Sequence, residues 1–219
     1  VQIDEIRRAA IDLFSKAKIE RAAVYIQISR GVSPRNHSFP ANIPVQVVMT
    51  VRKIEEKNPP IQETGISTIT VEDFRWGRCD IKTVQLLPNV LAKQKALDAG
   101  CYDAIFVSKN GIVREGSSSN LFILSGGMLI THPLSPDILP GITRSLVLDI
   151  CREKEYPVEE RFFDKVELYG AVEVFLTGTI TEVLPVVQID GRPVGNGKVG
   201  PAAKMLQEGL LGRLKIAGG

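Results

Sequence analysis

Apolar residues recur at Ile3, Ile6, Ala10, Leu13, Phe14 and Ala17, the spacing of one face of an amphipathic helix over residues 3–17. Asp4 and Glu5 fall in its first turn, where the helix dipole favours anions. The pattern then switches to alternation: residues 22–29 (AAVYIQIS) and 44–51 (PVQVVMTV) read as strands. The loop between them, RGVSPRNHSFP, makes a hairpin with Arg35, Asn36 and His37 at its tip. The charged, apolar-poor stretch RKIEEKNPPIQETG reads as a linker. Residues 1–54 are thus assigned to part of a small N-terminal domain, 55–65 to an interdomain linker and 66–219 to a larger domain. A helix that starts almost at the first residue is an abrupt beginning for a domain, so a further segment is expected to precede it.

A strand at 66–71 leads to the polar stretch EDFRWGRCDIK, and residues 84–99 show helical spacing at Leu87, Val90, Leu91, Gln94 and Leu97, with Gly100 as the cap. Short strands are predicted at 104–108, 112–114, 121–124 and 128–131, the last two joined through SGG as a hairpin. A Pro-punctuated loop, 133–140, runs into a helix (GITRSLVLDICREKE) whose buried face is expected at Ile142, Leu146, Val147 and Ile150. Strands at 173–177 and 183–189 flank GTITE, DGRP is a turn, and 201–215 is a closing helix. Strands and helices mix without regular alternation, which argues for an α+β fold.

Composition narrows the field. With 44% hydrophobic and 24% charged residues, the chain has the make-up of a globular protein. A net charge of +2 with no basic stripe argues against nucleic acid or a membrane surface as a partner. Three cysteines, 79, 101 and 151, without CxxC spacing point to reduced thiols in a cytoplasmic setting. Two histidines and no Cys/His cluster leave no metal site to expect.

Three segments can hold an anion. Gly141 opens a helix, with Ile142 and Thr143 offering free amides and a hydroxyl at the positive end of the dipole. Thr177-Gly178-Thr179 adds a second hydroxyl-and-amide loop, and EGSSSN, from Glu115 to Asn120, a third. Each alone is an ordinary cap or turn. Together they suit a phosphate-bearing cofactor. Lys82, in the apolar-flanked CDIKTVQLL, is a candidate for attack on a carbonyl, because partial burial lowers an amine's pKa. Glu115 suits a place against the ring nitrogen of a pyridine, keeping it protonated. Lysine, ring-facing carboxylate and phosphate cradle are what pyridoxal 5'-phosphate asks of a protein.

The blocks RGVSPRNHSFP, CDIKTVQLLPNVLAKQKA, VREGSSSNLFIL, LPGITRSLVL and VFLTGTITEVLPVVQIDGRPVGNGKVGP together resemble the fold-type IV (class IV) pyridoxal-phosphate aminotransferases, nearest in kind to those acting on D-amino acids. The resemblance spans nearly the whole chain. It implies a small N-terminal lobe and a larger β-rich, cofactor-binding domain flanked by helices. Lys82 then matches the lysine that bonds the cofactor and shuttles the proton at the substrate carbon, and Glu115 the ring-nitrogen partner, with Ser118 and Asn120 around the ring. Leu139 matches a ring-packing residue; Gly141, Ile142 and Thr143 match the phosphate-binding helix start, and Gly178 and Thr179 a second phosphate loop. Arg35 and His37 match the trap for the substrate α-carboxylate, a task the planar fork of Arg fits. In that family the trap is supplied across a dimer interface, so a homodimer working on amino acids and 2-oxo acids is implied. The family also carries a phosphate-binding Arg and an active-site Tyr ahead of the first helix, with no counterpart here. The expected reaction moves an amino group from a D-amino acid such as D-alanine to a 2-oxo acid such as 2-oxoglutarate. Its rivals are branched-chain L-amino acid transamination, aminodeoxychorismate lyase chemistry, or a truncated lobe that binds without turnover.

Overall fold

A computed structural model of the chain describes residues 2–55 and 60–217. It divides into two compact units, Val1–Glu56 and Lys57–Gly219. In the first, helix α1 (Ile3–Ala17) precedes strands β1 (Ala22–Ser29) and β2 (Gln46–Lys53), paired antiparallel from Ala22–Lys53 to Ser29–Gln46. Ile6, Ala10, Leu13, Phe14 and Ala17 form the half-buried side of α1, as the spacing predicts, while Ile3 is exposed. The second strand runs two residues later than expected, because Pro44 lacks the N–H a ladder needs. Residues 56–59 of the expected linker lie outside the described residues, and Ile61–Thr64 form a short helix, α2.

The second unit continues with β3 (Ile66–Glu72), α3 (Leu87–Asp98), β4 (Asp103–Val107), β5 (Val113–Gly116), β6 (Asn120–Ser125) and β7 (Met128–Thr131). After them come α4 (Ile142–Glu153), β8 (Val158–Glu160), α5 (Lys165–Gly170), β9 (Glu173–Gly178), β10 (Glu182–Ile189), β11 (Arg192–Pro193) and α6 (Pro201–Ala217). Strands β10, β3, β4, β5, β6 and β9 pair in succession, and β9 pairs back to β10, so these six close into a ring. Strands β7, β8 and β11 extend it. The mixture of parallel and antiparallel pairs is the α+β arrangement expected.

Period-two alternation sorts the core. Ile105, Val107, Leu121, Ile123, Val174, Leu176, Leu184 and Val186 gather in one buried cluster. Their neighbours point the other way: Phe122, Phe175 and Val183 pack with α4 and α6, and Ala104 and Phe106 with Ala92 and Ala96 of α3. Phe122 and Phe175 are opposite in register and stack at 5.2 Å between centroids. The β6–β7 hairpin turns on Gly126 and Gly127, both at positive φ (58° and 81°), which glycine adopts without strain.

Two helices depart from the expected faces. Pro88 in the first turn sets α3 going at Leu87 instead of residue 84. Its small residues Ala92 and Ala96 are buried, whereas Leu87, Val90, Leu91 and Leu97 are exposed. In α4, Val147 and Ile150 are buried as expected, but Ile142 is 76% exposed because, as the first helical residue, it projects past the packed side.

Candidate active site

β5 and β6 pair only at Glu115 and Asn120, so residues 116–119 stand out as a tight turn closed by the Gly116 N–H on the Ser119 carbonyl at 2.8 Å. Gly116 is closely packed: a Cβ there would lie 2.2 Å from Ser119 Oγ and 3.3 Å from Leu176. Behind the turn, Ser117 Oγ donates to buried Asp103, and Asn89 at the start of α3 donates to the Ser117 carbonyl at 2.8 Å.

Glu115 is 4% exposed. Its Oε1 accepts from Arg75 Nη1 at 2.5 Å, and its Oε2 from Asn120 Nδ2 at 2.9 Å and the Leu139 N–H at 3.1 Å. Asn120 Nδ2 also donates to the Leu139 carbonyl at 2.7 Å, tying the loop before α4 to the strand. Arg75 is buried as deeply as its partner and lies 4.3 Å over the ring of Phe106. Asp73 grips it twice, Nε to Oδ1 at 3.0 Å and Nη2 to Oδ2 at 2.8 Å. Arg114 bonds Asp73 at 2.7 Å and Asp137 at 2.9 Å, which completes a charge network that is buried at Glu115, Arg75 and Asp73 and reaches the surface at Asp137.

Burial pushes the Glu115 carboxyl up to about 7, against the pull of Arg75 and the Leu139 N–H. Burial also acts on Asp73, but the hydrogen bonds of Arg75 and Arg114 outweigh it and hold that carboxyl below the usual range.

Asn120 and Thr177 are opposite in register, and Asn120 lies where α4 begins. Gly141 fits so closely that a Cβ would fall 2.0 Å from Asn120 Oδ1. No side chain caps α4. By contrast Asp164 caps α5, and Glu173 accepts from the first amides of α6 at 3.0 Å. Thr143 is buried in the first turn of α4, and the buried hydroxyls Ser119 Oγ and Thr177 Oγ1 have no hydrogen-bond partner among the described residues. At Gly178 an added Cβ would meet Thr181 Oγ1 at 2.8 Å and the Ser118 carbonyl at 3.8 Å, so the serine turn and the second loop are adjacent. Segments 115–120, 139–143 and 177–179 are therefore brought together, with Ser118 and Thr179 exposed.

Lys82 is exposed, which corrects the expectation of partial burial. Its apolar neighbours Ile81, Val84 and Leu86 are exposed too, because this irregular segment joins neither sheet nor helix and cannot bury the amine. The segment is nonetheless anchored on either side of Lys82. The Cys79 N–H bonds the Pro136 carbonyl at 2.8 Å, in the loop that carries Leu139, and Asn89 holds the serine turn. Cys79 also sits within the fields of Arg75, Asp73, Glu115 and Arg114, although burial is what raises its thiol most. Arg35 and His37 belong to the first unit, exposed in the loop between β1 and β2.

Sequence reasoning missed Arg75 and Asp73 by taking EDFRWGRCDIK as merely polar. Its one signal was acid and base alternating with Phe74 and Trp76, which a surface loop also shows. Among the described residues, no group of His, Cys, Asp and Glu could hold a metal ion, and no helix is long and apolar enough to cross a membrane.

The sequence pattern of the family described as "Amino-transferase class IV" matches residues 1–189. D-alanine aminotransferase of Staphylococcus haemolyticus is 42% identical over 208 residues, 95% of this chain and 73% of that protein. The Bacillus licheniformis D-alanine aminotransferase is 43% identical over 187 residues, 85% of this chain and 65% of that protein. Among solved structures, the T.th. branched-chain amino acid aminotransferase with pyridoxamine 5'-phosphate superposes with a TM-score of 0.86 at 28% identity, over 96% of this chain and 71% of that one. With a matching pattern over most of its length and relatives above 40% identity, the chain belongs to the class IV aminotransferases.

Proposed function

We propose that this chain is a pyridoxal-phosphate-dependent aminotransferase that moves an amino group from a D-amino acid such as D-alanine to a 2-oxo acid such as 2-oxoglutarate. The observation that carries it is a buried carboxylate, Glu115, set beside a helix start that no side chain caps and hydroxyls without a partner. A flat ring with a basic nitrogen and a phosphate satisfies all three. The substrate class follows the similarity to D-alanine aminotransferases.

Glu115 would hold the ring nitrogen charged, and Ser118, Asn120 and Leu139 would line the ring. The amides of Ile142 and Thr143, the Thr143 hydroxyl and the Gly178-Thr179 loop would hold the phosphate, and Gly141 would let the backbone come close. When bound, pyridoxal phosphate supplies a carbonyl for the amino group and a ring that draws electrons from the substrate's α-carbon. Lys82 supplies the amine that anchors the cofactor and then carries the proton at that carbon. An exposed amine has the mobility this double task needs. Arg35 and His37, supplied across the dimer interface as the resemblance implies, would fix the substrate α-carboxylate.

The working form is a cytoplasmic homodimer. The exposed apolar side of α3 (Leu87, Val90, Leu91, Leu97) supports the dimer, since such a stripe marks an interface. The unpaired cysteines support a reducing compartment.

Mixing the protein with pyridoxal phosphate is expected to give a visible absorbance band that D-alanine bleaches and 2-oxoglutarate restores, and Lys82→Ala to abolish both band and turnover. A band that survives Lys82→Ala sinks the assignment of that lysine. Turnover of L-leucine with none of D-alanine replaces the substrate and leaves the cofactor in place.

A further inference from the structure

The buried cation beside Glu115 is the feature this function does not yet use. Arg75 follows β3, where the chain leaves the sheet, and all three of its guanidinium nitrogens are engaged. Asp73 takes Nε and Nη2, the Asp137 carbonyl takes Nη2 at 3.0 Å, Phe106 lies under the plane, and Nη1 reaches Glu115. Asp73 is in turn fixed by Arg114, which Asp137 also holds. Five charged side chains thus form one chain of contacts ending on a single carboxylate oxygen. Such a structure is costly to bury unless its geometry is complete, and a helix cap or a fold staple would need far less.

We propose that Arg75 is a positioning residue for amino-group transfer, holding Glu115 charged and fixed in orientation so that its carboxylate can partner the cofactor's ring nitrogen. The role rests on the cofactor assignment above. Glu115 sits in a dry site, where a lone carboxyl keeps its proton; a protonated Glu115 cannot stabilise a positive ring nitrogen. Arg75 opposes that tendency with a full charge at hydrogen-bond distance. Asp73 does two things: it fixes the plane of Arg75, and its negative charge weakens the effect of Arg75 on Glu115. Among the described residues, Arg75 and Asp73 past β3 and Cys79 on the segment before Lys82 act on Glu115, and Arg114 on β5 and Asp137 ahead of α4 connect to it through Asp73.

The test is a carboxyl titration of Glu115 by carbon-13 NMR in the full chain, with and without pyridoxal phosphate, assigned by loss of the signal in Glu115→Gln. In Arg75→Gln the carboxyl is expected to titrate about one to three pH units higher than in the unaltered protein. Arg75→Lys, which keeps the charge but not the fork, is expected to recover most of the difference. With nitrogen-15 in the pyridine ring, the ring proton is expected to be lost at lower pH in Arg75→Gln. Identical Glu115 titrations in all three chains, with the absorbance band present in the unaltered protein, overturn the role of Arg75 alone. An unaltered protein that develops no band overturns the cofactor assignment and the role together. If Arg75→Gln does not fold, the double variant Asp73→Asn with Arg75→Gln is compared with Asp73→Asn alone, which holds the charge at residue 73 constant; a Glu115 titration higher in the double variant supports the role of Arg75, and identical titrations overturn it.

Discussion

Glu115 shows how one residue's surroundings set its chemistry. Its carboxyl titrates at about 7 in the folded chain against 4.5 ordinarily. Between those values the folded protein keeps a proton that the unfolded chain has released, so stability is lost as pH rises through that window. Asp73 works with the opposite sign: lowered in the fold, it contributes stability above its unfolded value that is lost on acidification. Melting curves from about pH 5 to about pH 8 are expected to show a falling midpoint that Glu115→Gln flattens. An unchanged slope in that variant assigns the fall to other groups. Gly141 is limited by space instead of charge, since its φ of −68° suits any residue. Gly141→Ala, whose Cβ meets Asn120 at 2.0 Å, is expected to cost about 1–3 kcal/mol by thermal unfolding and to weaken pyridoxal phosphate binding by titration.

Among the elements, the two helices that bracket the site solve different problems. α4 packs Val147, Leu148, Ile150 and Cys151 on the sheet, which fixes its axis and so aims its first amides. α3 buries only alanines and leaves its leucines outside, because small residues let it lie close to Phe106 and Ala104. Helical period was legible in both, but which face would be covered was not. A stripe of Leu and Val is the usual mark of a core face, and nothing local says that a second surface covers it. Leu91→Glu is expected to leave the melting midpoint of the chain nearly unchanged while sedimentation shows the dimer dissociating. A monomer before the change, or a dimer after it, removes α3 from the interface.

The closed ring is what makes the site one place. Glu115 and Asn120 come from neighbouring strands, Thr177 from a third, and the return pairing of β9 on both β6 and β10 sets them side by side. The stacked Phe122 and Phe175 lock that register from the helix side. Phe122→Ala is expected to cost about 3–5 kcal/mol in denaturant unfolding and, by loosening β6 against β9, to reduce cofactor affinity as well.

From residue order alone came the longer strands and helices, though not α2, β8, α5 or β11, together with the α+β class and the segments that would supply an amine, a carboxylate and a phosphate cradle. Those are local: periodicity, turn residues and short motifs act over a few positions, and Lys82, Glu115 and Gly141 each stand in one. Contacts between distant segments were not legible, because a charge in a loop looks the same whether it meets water or a partner far along the chain. Folding alone put Arg75 behind Glu115, left Lys82 in solvent and turned the leucines of α3 outward, since burial depends on what the rest of the ring leaves uncovered.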